Sequence, residues 1–303
     1  MRAHLISNAK SGKGKGAELV EIADKLCREL GHELINHVID GPQDFEKCSR
    51  EALEAARQDG GIVLAAGGDG TLRGVAQVVH GTGVRFGAIP IGTFNFFART
   101  HRIPEDPEEA LRLALTGQPR PVRLGRVNGE IFLINASLGL YAKAIRDREK
   151  RTSRYGRNRL VVILSTIASL FSKHLLLRVD LVSEKKTSTY LTPMIFIGNN
   201  ALQLRDLAMD VARCMKQDLL AVVLMKRVTK FETLRIILRG IFKTIENDER
   251  MESFCVETLT IHTHRPAHTV ALDGEMFTMQ SPLKVEALPE SLNLVLPPKE
   301  TSA

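Results

Sequence analysis

The stretch "GIVLAAGGDGTLRGVAQ", residues 61–77, decides how the chain reads. Ile62 to Ala66 is an apolar run of the length of a buried strand, and Leu72 to Val79 has the apolar spacing of a helix. Between them lie Gly67, Gly68, Asp69, Gly70 and Thr71. A turn needs only one or two glycines, so this density points to a backbone that something approaches closely.

The same strand-to-helix rhythm extends both ways. "HLIS" is followed by a glycine- and lysine-rich turn, "NAKSGKGKG", and by a helix, "AELVEIADKLCREL", that stops at Gly31. "ELINHVI" reads as a strand and "DFEKCSREALEAARQ" as an amphipathic helix capped by Asp44. "RFGAIPI" is the next strand and "NFFARTHRI" starts a helix. In "EDPEEALRLALTG", Asp106 caps, Pro107 opens the first turn and Gly117 ends the helix. Strands alternating with helices imply a mainly parallel sheet, a Rossmann-like α/β domain over residues 1–120.

From about Pro119 the texture changes to short apolar runs such as "RLGRV", "IFLINASLG", "TYLTPMIFIG", "LLAVVLMK", "LKVEAL" and "LNLVLP". Turn residues, including "VNGE" and "LPES", separate many of them. An antiparallel β-sandwich domain is expected over 121–303, its C-terminal tail returning to the first domain. Two helical segments, 155–171 and 231–243, interrupt it.

Composition narrows the partners. The chain has 303 residues, 44% of them hydrophobic, with 42 Lys plus Arg against 35 Asp plus Glu for a net charge of +7. That charge favours anionic partners. The four cysteines are scattered with no C-x-x-C pair, so free thiols in a reducing cytoplasm are expected. No secretory signal is read, and the longest apolar stretch, from Leu160, is broken by Ser165, Ser169, Ser172, Lys173 and His174. His262, His264 and His268 are expected on solvent-facing strand positions rather than on a metal.

In a parallel sheet, ligands bind where strands end and helices begin, and glycine turns there offer N–H groups to phosphates. The first two such turns match neither G-x-x-x-x-G-K-[ST] nor G-x-G-x-x-G. A carboxylate facing phosphates repels them unless a cation intervenes, so Asp69 implies Mg²⁺. "IPIGTFNFFAR" repeats the logic with Gly92, Thr93 and Asn95, and "VALDGEMF" places Asp273 and Glu275 around Gly274. Lys10, Lys13 and Lys15 are candidates for phosphate charge.

"NAKSGKG", "AAGGDGTLRGVAQ", "PIGTFNFFAR" and "LDGE" occur here in an order and spacing that resemble the diacylglycerol kinase catalytic family of lipid kinases, over nearly the whole chain. GGDGT alone is shared with NAD kinases and phosphofructokinases; its combination with G-T-x-N-x-F-A-R and L-D-G-E is specific to the lipid-kinase branch. The resemblance implies an ATP- and Mg²⁺-dependent kinase acting on a hydroxyl of a diacylglycerol-like or sphingoid lipid. It implies ATP contacts at Asn8, Ala9, Lys10, Ser11 and Gly12, at Ala66, Gly67, Gly68, Asp69, Gly70, Thr71 and Leu72, and at Thr93 and Asn95. It also implies a general base in the Asp273-Gly274-Glu275 element, either carboxylate qualifying, with Asp69 and Asp218 as metal candidates.

Three positions depart from the family pattern. Phe96 stands where many relatives carry Asp, Asp40 where many carry Thr, and Asp218 is displaced in "RCMKQDLLAV", which lacks the family's glycine. A NAD kinase-like enzyme and a nucleotide- or lipid-binding regulator without turnover are the alternatives. The run from Lys143 to Arg159 has eight basic residues against two acids. With the apolar segment after it, this favours peripheral contact with an anionic membrane at the cytoplasmic face. It lacks the aromatic interleaving of a nucleic-acid site. Oligomeric state stays open, a homodimer included.

Overall fold

The computed structural model describes residues 1–8, 15–139, 176–183, 187–200, 214, 217–226 and 251–298. The glycine–lysine turn after Asn8, the basic run 143–159 and the helical segments expected at 155–171 and 231–243 lie outside them.

Two compact units divide the chain, one formed by Met1–Leu124 with the chain from Pro289, the other by Gly125–Leu288. In the first, strand and helix alternate as β1 (Arg2–Asn8), α1 (Lys15–Glu29), β2 (Glu33–Ile39), α2 (Phe45–Asp59), β3 (Ile62–Gly67), α3 (Asp69–Val79), β4 (Arg85–Pro90), α4 (Phe96–Thr100) and α5 (Pro107–Thr116). The strands line up in the order β2-β1-β3-β4, all parallel. β3 is buried along its whole length, which is why its sequence is a continuous apolar run without alternation. Helix α1 packs against α5 and α2 against α3. With right-handed crossovers from β1 to β2 and from β2 to β3, these two pairs cover opposite faces of the sheet.

Local chemistry sets the helix ends. Asp106 accepts the Glu109 N–H at 3.0 Å ahead of Pro107, the N-cap arrangement its sequence suggests. Asp44 precedes α2 but makes no side-chain capping bond. Gly60, at φ 67°, ends α2 in the left-handed region that glycine enters without steric cost. Beneath α2, the buried His4 links Asp59, 3.0 Å from its Nε2, to His37, 3.2 Å from its Nδ1.

The second unit is antiparallel. After β5 (Gln118–Val127), whose end falls in this unit, come β6 (Glu130–Phe132), β7 (Asn135–Gly139), β8 (Leu177–Ser183), β9 (Thr187–Thr192), β10 (Met194–Gly198), β11 (Leu220–Met225), β12 (Met251–Val256), β13 (Thr258–Thr263), β14 (Ala267–Leu272), β15 (Glu275–Gln280) and β16 (Leu283–Leu296). One sheet has the order β12-β11-β10-β7-β14-β15. The other is built on β9, β8, β13 and the first half of β16, with β5 and β6 joined beside it. Ala136, Leu138, Ile195, Ile197, Val222 and Leu272 of the first sheet share one apolar core with Val179, Leu181, Leu259, Ile261, Leu283 and Val285 of the second. This is sandwich packing.

Further sequence expectations need correction: "TYLTPMIFIG" is split between two strands, β9 and β10, at Pro193. "IFLINASLG" is two strands, β6 and β7, interrupted at Leu133 and Ile134. "LPES" is not a turn: Glu290 takes φ 49° and β16 runs through it as a strand of 14 residues. Cys214 and Cys255, read as free thiols, form a disulfide, leaving Cys27 and Cys48 free. Their separation of 41 residues hid the pair from any local pattern. The bond lies on the outer face of the first sheet, among Phe196, Ala221 and Val223.

Intact-mass analysis after alkylation tests this bond. Denatured, unreduced protein is expected to take up two alkyl groups, on Cys27 and Cys48, and reduced protein four. Four without reduction excludes the bond.

Candidate active site

All three glycine turns named from the sequence follow the C-terminal ends of neighbouring parallel strands. Asn8 ends β1, Gly67 ends β3 and Pro90 ends β4. Asp40 follows β2 at the same edge, because Ile39 pairs with Asn8. Helices α3 and α4 also begin at this edge, so their first N–H groups lie there.

Two of the glycines at these turns, Gly67 and Gly92, are required by neighbours within the protein itself. A Cβ on Gly67 would lie 2.3 Å from Thr71 Cβ. A Cβ on Gly92 would lie 2.6 Å from Gly68 Cα and 2.8 Å from Asn95 Oδ1. The two turns therefore touch backbone to backbone. The close approach that the glycine density foretold is, in large part, one turn meeting the other. Ile91 N–H donates to Gly67 O at 3.1 Å, and Gly92 N–H to Asn95 Oδ1 at 3.0 Å. Asn95 is held in the left-handed region at φ 49° and is 6% exposed.

Asp69 joins the turns. Its Oδ2 accepts the Phe96 N–H at 3.1 Å and its Oδ1 the Phe97 N–H at 3.0 Å. Asn95, the N-cap residue of α4, makes no side-chain capping bond, so Asp69 caps that helix from the far side of the contact. The predicted site residues then sort by burial. Ala66 and Leu72 are core side chains, 2% and 0% exposed, and offer a ligand only backbone. Thr93 is exposed and Thr71 partly so. Ala9, Lys10, Ser11 and Gly12 lie outside the described residues.

Phe94 and Phe96 went unremarked in the sequence as a pair. Their rings stack with centroids 5.6 Å apart and planes 3° from parallel, Phe94 being 46% exposed. Phe96 thus adds an aromatic ring to this turn, while its N–H serves Asp69. Next along, His101 meets the Phe97 ring edge-on at 4.7 Å. Burial, then the positive charges of Arg120 and Arg123, push its pKa down to about 4.

In the second unit, Asp273 and Gly274 form the two-residue turn between β14 and β15, both at positive φ, 49° and 94°. That is type I′ geometry, for which Asp-Gly is a preferred sequence. Asp273 accepts three successive backbone N–H groups: Leu133 at 2.7 Å, Ile134 at 2.8 Å and Asn135 at 3.0 Å. Glu275 opens β15 and is exposed. The two carboxylates do not share a strand face, because Asp273 sits in the turn. Asp218 is exposed, in a left-handed turn ahead of β11 at φ 56°. Among the described residues no three His, Cys, Asp or Glu side chains gather in metal-holding geometry.

Residues 2–127 match the model of the diacylglycerol kinase catalytic domain. This part of the chain is similar to the "Probable lipid kinase YegS-like" of Pseudomonas aeruginosa, 41% identical over 134 residues, which are 44% of this chain and 43% of that protein. It is also similar to the diacylglycerol kinase of Bacillus subtilis, 35% identical over 139 residues and 44% of each chain. These matches cover less than half of either relative. A crystal structure of a diacylglycerol kinase from Bacillus anthracis superposes with a TM-score of 0.75 over 98% of this chain and 97% of that one, at 20% identity. That likeness establishes a shared fold.

Two measurements probe the geometry. Asp69→Asn leaves one oxygen for two amides and turns an NH₂ toward an N–H, so chemical denaturation is expected to show a loss of about 1–3 kcal/mol. Unchanged stability would remove Asp69 as the tie. His101 stays neutral in the folded protein well below its unfolded pKa, so the unfolded state binds the extra proton as pH falls from about 6.5 to about 4. Folded stability therefore declines across that window. His101→Gln is expected to flatten this decline by about 1–3 kcal/mol, read from unfolding curves at each pH.

Proposed function

We propose that the chain is an ATP- and Mg²⁺-dependent lipid kinase that phosphorylates a hydroxyl of a diacylglycerol-like or sphingoid lipid. One observation carries the reading: two glycine turns at adjacent strand ends, in backbone contact and tied by Asp69, lie inside the segment that matches the kinase catalytic family. Such turns are preorganised to receive phosphates on their N–H groups, and phosphoryl transfer depends mainly on positioning and charge neutralisation. The names borne by the relatives, lipid kinase and diacylglycerol kinase, supply the acceptor class.

Magnesium suits this donor set as a companion of the nucleotide. Mg²⁺ is commonly held by phosphates and water plus one or two carboxylates. Each Asp69 oxygen accepts one of the two α4 amides and keeps a lone pair for a metal-bound water. The bound ion neutralises phosphate charge. Of the two late carboxylates, Glu275 is the base in this reading, since Asp273 already accepts three amides. The acceptor is apolar in keeping with the outer face of the β7 sheet, where Phe196, Ala221 and Val223 form a second buried apolar cluster. The basic run from Lys143 to Arg159 supports a peripheral site of action on anionic membrane, each charge contributing about 1 kcal/mol near such a surface.

Purified protein with labelled ATP, Mg²⁺ and a panel of diacylglycerols, ceramides, sphingoid bases and NAD tests the proposal. A phosphorylated lipid is expected, with kcat lowered roughly 10²- to 10⁴-fold in Glu275→Gln and ATP binding kept. Wild-type kcat in that variant would overturn the base assignment. ATP binding with no product would favour the regulator that Phe96 brings to mind, and phosphorylated NAD would sink the lipid reading.

A further inference from the structure

The sequence leaves Asp273 and Glu275 interchangeable, two carboxylates flanking one glycine. Their surroundings differ in kind. Leu133 and Ile134, which interrupt β6 and β7, are each 2% exposed, and Asn135 is 4% exposed. A buried non-strand backbone must find partners for every N–H and C=O. Asp273 meets the donors: Oδ2 takes the Leu133 N–H, and Oδ1 takes those of Ile134 and Asn135. Asn199, just past β10, meets the acceptors, its Nδ2 donating to Leu133 O at 3.0 Å and its N–H to Ile134 O at 2.8 Å. The loop closes back on the turn, since Asp273 N–H donates to Asn135 O at 2.9 Å.

We infer that Asp273 is a positioning residue, whose carboxylate locks the Asp273–Gly274 turn onto the Leu133–Asn135 loop and so fixes Glu275 at the start of β15. The inference rests on the reading of Glu275 as base. Oδ1 accepts two of these amides and Oδ2 the third. Only an acceptor-only side chain of this length fits. Asn would present an NH₂ to at least one N–H, and Glu would carry its carboxylate one methylene further out. The type I′ turn adds rigidity, because two consecutive positive φ values leave the first residues of β15 a single exit direction. A base must stand within hydrogen-bond reach of its proton, and a misplacement of about 1 Å costs roughly 10² in rate.

The full-length protein tests this by pairing amide exchange with kinetics in Asp273→Asn, Glu275→Gln and Asn199→Ala. In Asp273→Asn, exchange at residues 133–135 is expected to accelerate at least about tenfold and kcat to fall about 10²-fold, with KM for ATP within about twofold. The acid limb of its kcat–pH profile is expected to stay, because the Glu275 carboxylate is still present. In Glu275→Gln the amides keep their protection while the acid limb disappears. Asn199→Ala, which leaves every carboxylate in place, is expected to loosen the same amides and lower kcat about fivefold, in keeping with a loss of positioning. Wild-type kcat or unchanged exchange in Asp273→Asn overturns the proposal, as does loss of the acid limb there with its retention in Glu275→Gln. If wild-type protein phosphorylates no lipid, the base reading falls by itself. Exchange then judges the anchor, unchanged protection in Asp273→Asn counting against it.

Discussion

A carboxylate that accepts consecutive backbone N–H groups from a distant segment is the interaction on which both candidate sites depend. Asp69 takes the amides of Phe96 and Phe97, and Asp273 those of Leu133, Ile134 and Asn135. Amides at a helix start or in a buried bend have no ladder partner, and leaving them unmade costs more than making them gains. An ionised acceptor makes each bond roughly twice as strong as a neutral one. Both aspartates lie beside glycine because the turn that aims the carboxylate must itself be sharp. Glycine and aspartate therefore act as one device, used once in each unit.

This changes the meaning of the glycines in the first unit. The spacing of GGDGT invites the thought of a ligand pressed against bare backbone. What lies against Gly68 is Gly92, and what lies against Gly67 is Thr71. Two helix starts and two turns converge at the C-terminal edge of β3 and β4, and the shape of that edge is set by contacts within the protein. Preorganisation of this kind suits phosphoryl transfer, in which placement and charge do most of the work. Phe96 fits the same picture. Its N–H is accepted by Asp69, so the backbone at this position ties the two turns together. The ring is released to stack on Phe94 and gives this turn an exposed aromatic surface.

In the second unit, apolar side chains cover both faces of the β7 sheet. β11 is buried at every residue, with Leu220, Val222 and Leu224 in the sandwich core and Ala221 and Val223 in the outer cluster beside the disulfide. A strand of this kind shows no period-two alternation, so its sequence does not reveal which face looks inward. Cys255 lies on the outer face for the same geometric reason, one residue on from the inward-facing Phe254.

The sequence by itself determined the alternation of strand and helix in the first unit, its parallel sheet and the glycine turns at the strand ends. These depend on local rules: apolar period, capping by Asp106, and the freedom of glycine at strand ends. The turn at Asp273-Gly274 was legible for the same reason, as Asp-Gly between two alternating runs. Whatever depended on partners far along the chain was not legible. Asp69 meets residues 27 and 28 positions away and Asp273 meets residues 138 to 140 positions away, distances over which no periodicity carries information. The break inside "IFLINASLG", the uninterrupted β16 and the Cys214–Cys255 bond were hidden likewise. Composition names the carboxylates, but a carboxylate's role is fixed by which groups occupy its lone pairs, and only the tertiary structure brings those groups to it.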